Sequence, residues 1–161
     1  MKFFVLLTAL AAVSACTIAT PLSGPGYGFF SGVREAPERE LVVALTYAKL
    51  AEDEAARKKF WAHARRVYGQ LGDQPGFVAG SRRSEIFGDK AWTMTVWRDS
   101  TSLNAFLSRE PHRSAAREGF DLTDEGRFAQ FKIVASDLPL SWAWRLSGWC
   151  GTGAICMSDR G

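Results

Sequence analysis

The chain has 161 residues, of which 47% are hydrophobic and 23% are charged, and its formal net charge is +3. This length suits one domain with a substantial core rather than two domains. The composition is that of an ordinary globular protein, and the basic residues are not gathered into one run. Nucleic-acid binding is therefore disfavoured, and we expect no nucleic-acid partner.

The first fifteen residues have the pattern of a targeting segment. Lys2 supplies a short positive region, and residues 3–12 form an apolar core shorter than a membrane span. The run Val13-Ser14-Ala15-Cys16 resembles the lipobox of bacterial lipoproteins, in which the cysteine becomes the first mature residue and carries lipid. We therefore predict a signal peptide over residues 1–15, lipid on Cys16, and a location in the bacterial cell envelope, lipid-anchored or periplasmic. An ordinary cleaved signal is the alternative.

Residues 16–39 are rich in glycine and proline. The run from Gly24 to Gly28 contains three glycines and a proline, which sustain neither helix nor strand. This composition predicts a tether between the anchor and the domain. Tyr27, Phe29 and Phe30 are able to pack on the domain surface.

The folded domain is predicted to occupy residues 40–136. Residues 41–47 are apolar on both faces, which is typical of a central strand that is covered on each side. Residues 51–71 carry one apolar stripe, acidic residues near the start and Arg65 and Arg66 near the end, which predicts an amphipathic helix. Residues 77–87 predict a second strand with a polar middle.

A strand that leads directly into a helix follows. Residues 90–97 alternate between two sets of side chains, as in a half-buried strand. Asp99 or Ser100 is suited to cap the next helix, in which Leu103, Phe106 and Leu107 recur at helical spacing. Pro111 ends or kinks that helix.

The order of elements predicts the fold class. Residues 112–118 indicate a short helical turn, residues 120–126 a polar loop, and residues 127–136 a last strand. The resulting βαββαβ order predicts a ferredoxin-like α+β fold, with an antiparallel sheet and both helices on one face. The other face is rich in apolar residues, so we expect a second copy of the sheet or the C-terminal segment to cover it.

The C-terminal extension, residues 137–161, contains Trp142, Trp144 and Trp149. These tryptophans could pack on the sheet or on a dimer partner, rest at a bilayer surface, or line a ligand pocket. Cys150 and Cys156 are expected to form a disulfide in an exported protein, with free thiols as the alternative. A second cysteine pair and a nearby histidine are both missing from the sequence, so a metal site is disfavoured.

The run Thr93-Met94-Thr95-Val96-Trp97-Arg98-Asp99, followed by Leu103, Phe106, Leu107 and His112, resembles the antibiotic-biosynthesis-monooxygenase (ABM) family of the dimeric α+β barrel superfamily. The resemblance spans about residues 40–136. It implies a homodimer whose sheets face each other as a barrel, and a pocket between sheet and helices. Some members oxygenate aromatic or quinol-like substrates without metal or flavin. Others degrade haem with an asparagine on the first strand, where this chain has Thr46 and Tyr47.

Oxygenation without a cofactor requires a base of near-neutral pKa and hydrogen-bond donors in an apolar pocket. We predict His112 as the base, Trp97 as a stacking platform and Tyr47 as the donor to an anionic oxygen. Plain structural roles compete in each case: a local helix-end contact for His112, and core packing for Trp97 and Tyr47.

Other candidates have stronger structural explanations. His63 lies on the first predicted helix, and Trp92 suits the core. Arg82 and Arg83 could attract an acidic ligand, although such a pair more often forms a solvated strand face.

The predicted function is binding of a small aromatic or isoprenoid-type ligand by an envelope-anchored ABM-like protein, with cofactor-independent oxygenation as its chemistry. The sequence lacks a phosphate-binding glycine loop, a nucleophile elbow and a zinc-binding His-Glu-x-x-His motif. Hydrolase, kinase and dinucleotide-dependent functions are therefore disfavoured, and we expect no cofactor and no metal. The alternative is a non-catalytic ligand-binding or scaffolding lipoprotein.

Replacement of Cys16 by serine tests the anchor. Cys16→Ser removes the only side chain in the lipobox-like run that can carry the lipid, so it should shift the protein from the membrane to the soluble fraction. Fractionation of cells followed by immunoblotting measures this shift. Membrane retention equal to that of the wild type would contradict lipidation at Cys16.

Overall fold

A computed structural model of the protein describes residues 16–142. These residues form seven strands, three α-helices and two short 3-10 turns at Leu71–Asp73 and Ala135–Asp137. The strands are β1 (Thr17–Ala19), β2 (Tyr27–Gly28), β3 (Gly32–Val33), β4 (Glu40–Leu50), β5 (Phe77–Glu85), β6 (Lys90–Trp97) and β7 (Thr123–Val134). The helices are α1 (Glu54–Tyr68), α2 (Ser100–Leu107) and α3 (His112–Leu122).

Five strands form one antiparallel sheet in the order β1-β5-β6-β4-β7, and β2 pairs with β3 in a separate hairpin. β4 lies between β6 and β7, which agrees with its long apolar run. The core follows the order β4, α1, β5, β6, α2 with α3, and β7. The predicted ferredoxin-like α+β fold is therefore confirmed.

Aspartates begin the first two helices. Asp53 Oδ1 accepts a hydrogen bond from the backbone N–H of Ala56 at 2.7 Å, and Asp99 Oδ1 accepts one from Ser102 at 2.7 Å. Each carboxylate satisfies a backbone donor that has no partner inside the helix. Of the two predicted caps for α2, the structure selects Asp99.

The boundary between α3 and β7 differs from the prediction. In place of the expected loop over residues 120–126, α3 continues to Leu122 and β7 begins at Thr123. Leu122 is buried, and its carbonyl accepts a hydrogen bond from Ala51 N–H. β4 extends to Leu50 and pairs with β7 as far as Thr123, so backbone pairing with β4 holds polar residues in a strand.

The segment expected to be a tether is ordered against the sheet edge. β1 pairs with β5, and Ser23 bridges to Gly80 on the same strand. Tyr27 is buried, whereas Phe29 and Phe30 are 73% and 99% exposed. An edge strand presents a row of unpaired N–H and C=O groups, and this segment satisfies part of that row on β5.

The outer face of the sheet, opposite the helices, is centred on Val43, Met94 and Val96. We expected a second copy or the C-terminal segment to cover it. The chain itself supplies much of the cover: Leu22, Tyr27 and Val33 come from the N-terminal segment, and Leu138, Leu140 and Trp142 from the start of the C-terminal extension.

Trp142 is tied to the outer face by a hydrogen bond, since its Nε1 donates to Ser81 Oγ at 3.0 Å. Trp144, Trp149, Cys150 and Cys156 lie outside the described residues. The predicted disulfide therefore stays a prediction.

A glycine substitution tests whether the N-terminal segment packs on β5. A Cβ atom built on Gly24 would lie 2.6 Å from the backbone Cα of Ala79, so Gly24→Ala should destabilise the protein by about 1–3 kcal/mol through overpacking. Chemical denaturation measures the change in the free energy of unfolding.

Gly119→Ala is the matched control. A Cβ there meets no heavy atom within 4 Å, and Gly119 lies in α3, so alanine should be neutral or stabilising. Unchanged stability of Gly24→Ala would show that the N-terminal segment does not pack on β5 in solution.

Candidate functional site

A cavity of about 290 Å³ lies between the helices and the sheet. On strands β4 and β6 its lining includes the small side chains of Ala44, Thr46, Ala91, Thr93 and Thr95, and Phe128 of β7 also lines it. Side chains of this size leave space below a helix that larger residues would fill. The cavity therefore results from residue choice on β4 and β6.

Helix α1 forms the opposite wall with Phe60, Trp61, Ala64, Val67 and Tyr68, which recur on one stripe. None of the residues of α1 is fully buried, although the helix lies across the sheet. The predicted apolar stripe of this helix thus lines the cavity, and its Val67 and Tyr68 also pack against the buried cluster on that face of the sheet. Aromatic walls of this kind suit a flat, apolar ligand.

Three threonine hydroxyls lie on the sheet side of the cavity. Thr46 and Thr93 are cross-strand partners on β4 and β6, and Thr95 follows two residues later on the same face. The hydroxyl of Thr95 accepts a hydrogen bond from Trp97 Nε1 at 3.0 Å. Sequence reasoning missed this row, although polar residues that alternate on a helix-covered strand were a usable signal.

His112 lines the cavity. Its Nδ1 lies 3.2 Å from the carbonyl oxygen of Leu107, to which it donates as the neutral tautomer. Burial lowers the pKa of His112 from its ordinary value of 6.5, and the Leu107 hydrogen bond opposes this shift only in part. The ring is therefore neutral near pH 7, and Nε2 keeps a lone pair without a hydrogen-bond partner among residues 16–142.

Trp97 lies in the core and does not line the cavity. It is fully buried at 0% exposure, and its ring packs on Phe77 and Phe106 at centroid distances of 5.3 and 5.0 Å. Phe106 in turn contacts the ring of His112 at 4.9 Å. Trp97 therefore packs behind Phe106, the residue that contacts His112. The aromatic residues that line the cavity are Phe106, Trp92, Phe128 and those of α1.

Tyr47 lies on the outer face, away from the cavity. Strand alternation sends Tyr47 to the side opposite Thr46, where its ring lies 5.6 Å from that of Trp92. The guanidinium of Arg127 lies 5.9 Å from the centre of the Tyr47 ring. The three predicted catalytic residues thus do not converge, and only His112 is at the cavity.

His63 connects two helices. Its Nε2 lies 3.2 Å from Glu118 on α3, and Lys59 forms an ion pair with the same carboxylate at 2.8 Å. These contacts lower the pKa of Glu118, chiefly through the hydrogen bond from Lys59. His63 therefore has the structural role that its position suggested.

Three further observations concern residues and features outside this cavity. Cys16 is exposed. Residues 16–142 contain no cluster of three or more histidine, cysteine or acidic side chains arranged for a metal ion. Within the same range, none of the helices combines the length and apolar character needed to cross a bilayer.

Sequence comparisons return nothing: no protein-family model and no curated protein matches the chain. Solved structures do resemble it. A provisionally named monooxygenase from Fusobacterium nucleatum superposes with a TM-score of 0.53 at 13% identity, over 62% of this chain and 45% of that one. A Bacteroides thetaiotaomicron protein of unknown function, described as a possible oxidoreductase, gives 0.51 at 14% identity, over 59% and 99%.

A protein from Shewanella oneidensis gives a TM-score of 0.52 at 8% identity, over 60% of this chain and 93% of that one. The chain therefore shares the fold of these three solved structures. It spans less than half of the Fusobacterium protein, and identities this low bear on the fold alone. In this fold, His112 begins α3 and lines the cavity between helices and sheet.

A histidine titration tests the environment of His112. Because burial lowers its folded pKa below 6.5, the unfolded chain takes up a proton first as the pH falls, and folding stability should decrease below about pH 6.5. His112→Gln should reduce this loss of stability between about pH 7 and about pH 5.

Proton NMR provides the direct measurement. The chain has two histidines, so His63→Gln and His112→Gln assign both ring signals. A His112 signal that titrates at or above its ordinary value of 6.5 would contradict the buried, neutral ring.

Proposed function

We propose that this protein binds a small aromatic or isoprenoid-type ligand in the cavity between helices and sheet, and oxygenates it without a cofactor. The observation that carries the proposal is the position of His112. It is a half-buried, neutral imidazole on the wall of an otherwise largely apolar cavity. A base with lowered pKa in a cleft is a frequent mark of a catalytic site.

The reaction starts with removal of an acidic C–H or O–H proton by Nε2 of His112, whose Nδ1 is held by the Leu107 carbonyl. The resulting carbanion or phenolate is electron-rich enough to transfer an electron to molecular oxygen. Recombination gives a peroxide, which loses water. In balance, one activated CH₂ and one O₂ yield one ketone and one H₂O, and the proton held by His112 leaves with that water.

The threonine row and the aromatic wall have supporting roles. Thr46 and Thr93 place hydroxyls at the sheet side, where they can donate hydrogen bonds to the developing anion. The Thr95 hydroxyl instead donates to the carbonyl of Ala44 at 3.5 Å. Phe106 and Trp61 offer ring surfaces for the ligand. These residues take the roles of donor and platform that the sequence suggested for Tyr47 and Trp97.

A non-catalytic binding protein on the same fold is the second candidate. The observation that favours it is the distribution of the predicted residues: Tyr47 lies on the outer face and Trp97 lies in the core. His112 is then the only predicted catalytic side chain that borders the cavity. In either case the proposal includes an envelope location through lipid on Cys16, and a homodimer as in the ABM family.

Turnover by His112 variants separates the two candidates. With anthrone as substrate, wild-type protein should consume oxygen above the uncatalysed background. His112→Gln keeps a hydrogen-bond donor but removes the base, so its rate should fall by about 10²–10⁴-fold with little change in ligand affinity. An oxygen electrode and calorimetry measure the two quantities.

His63→Gln is the matched control, because His63 contacts Glu118 between helices and does not line the cavity. Its rate should match the wild type. Binding without oxygen consumption by the wild type would favour the non-catalytic candidate, and absence of both would overturn the proposal.

A further inference from the structure

The charged side chains at the cavity carry one sign only. Arg65 on α1 and Arg82 on β5 both line it and both are exposed, which places them at its mouth. The described residues that line the cavity include neither aspartate nor glutamate. A cavity bordered by guanidinium groups and free of carboxylates has a positive potential that favours an anion.

Within the described part of the chain, neither arginine forms an ion pair. Among residues 16–142, the ion pairs formed by arginine involve Arg98, Arg113 and Arg127, and none involves Arg65 or Arg82. Exposed cations without partners are common on surfaces. Two such arginines at the mouth of one apolar cavity can bind a carboxylate through charge-assisted hydrogen bonds.

Arg82 is held in place by an aromatic ring. Its guanidinium carbon lies 4.2 Å from the centre of the Tyr68 ring, and Tyr68 also lines the cavity. Stacking leaves the edge of the guanidinium, with its N–H donors, free to meet an oxygen atom. The backbone N–H of Arg82 donates to Thr20 Oγ1 at 2.9 Å, which fixes this point of β5.

Arg82 and His112 lie beside different parts of strand β6. Arg82 is the cross-strand partner of Thr93, whereas His112 packs on Phe106, which packs on Trp97. Thr93 and Trp97 are four positions apart, which corresponds to about 13 Å of strand. A ligand that reaches both has its anionic group at one end and its reacting group at the other.

We infer that the ligand of this cavity is an amphipathic acid, whose apolar or aromatic body lies between α1 and the sheet and whose carboxylate is bound by Arg82 and Arg65. This inference rests on the proposed function, because it assumes that the cavity is the ligand site. It narrows the ligand class from any small apolar molecule to an organic anion.

Arg83 provides a control within the same dipeptide. It also borders the cavity, but strand alternation directs its side chain to the outer face. There its guanidinium lies 5.4 Å from the centre of the Trp92 ring and donates to Thr17 Oγ1 at 3.2 Å. Arg82 and Arg83 are thus equal in charge and adjacent in sequence. Their guanidinium groups lie on opposite faces of the sheet, that of Arg82 on the cavity side and that of Arg83 on the outer side.

The test compares 2-naphthoate with its neutral isostere 2-naphthamide by titration calorimetry on the full-length protein. Wild-type protein should bind the acid about tenfold or more tightly than the amide, because hydrogen bonds to a charged group are stronger than neutral ones. Arg82→Gln should reduce this preference to about twofold or less. Arg65→Gln should reduce it in the same direction, and Arg83→Gln should leave it within about twofold of the wild type.

The outcomes separate this inference from the proposed function. Equal binding of acid and amide by the wild type, or an unchanged preference in Arg82→Gln, overturns the inference that the ligand is an acid. Either result leaves standing the proposal that the cavity is a ligand site. A loss of preference in Arg83→Gln as large as in Arg82→Gln also overturns it, since the effect would then be one of overall charge. Failure of the wild type to bind either compound overturns both proposals. Thermal melts of each variant confirm that the compared proteins are folded.

Discussion

The small side chains at the middle of the helix-facing side of the sheet are the constraint on which the site depends. Ala44, Thr46, Thr93 and Thr95 occupy positions at which a packed α+β core would place larger residues. Helix α1 faces them with aromatic side chains that are only partly buried, so a space remains between this helix and the sheet. An unfilled apolar space loses the dispersion contacts that a packed core would make. A ligand restores them, which is the physical reason to regard this space as a binding site.

Strand alternation decides which residues belong to that site. On β4 it places Thr46 at the cavity and Tyr47 on the outer face, and on β5 it separates the guanidinium of Arg82 from that of Arg83. The outer face of the sheet contributes to stability through its own buried apolar cluster. The chain covers much of it with Leu22, Tyr27 and Trp142, so the face that joins partners in dimeric barrels is here partly occupied by the same polypeptide.

The sheet edge explains why a glycine- and proline-rich segment is ordered. β5 would otherwise be an open edge of the four-stranded core, and its free N–H and C=O groups bind the N-terminal segment as β1 and the Ser23 bridge. The same principle moves the start of β7 to Thr123, where pairing with β4 holds residues of low strand propensity. In both places the partner strand, rather than the local sequence, determines the structure.

The sequence by itself determined the order of the main elements, a helix cap at Asp99 or Ser100, the two-sided burial of β4 and the presence of His112 next to a helix. These features depend on local periodicity and on short-range hydrogen bonds, which are visible in consecutive residues. Only the tertiary structure decided that His112 borders a cavity, that Trp97 lies behind Phe106, and that Arg65 and Arg82 meet at one mouth. Those facts depend on which strands are neighbours in the sheet and on how far α1 lies from the sheet. Distances between segments that are remote in sequence cannot be inferred from the pattern of consecutive residues.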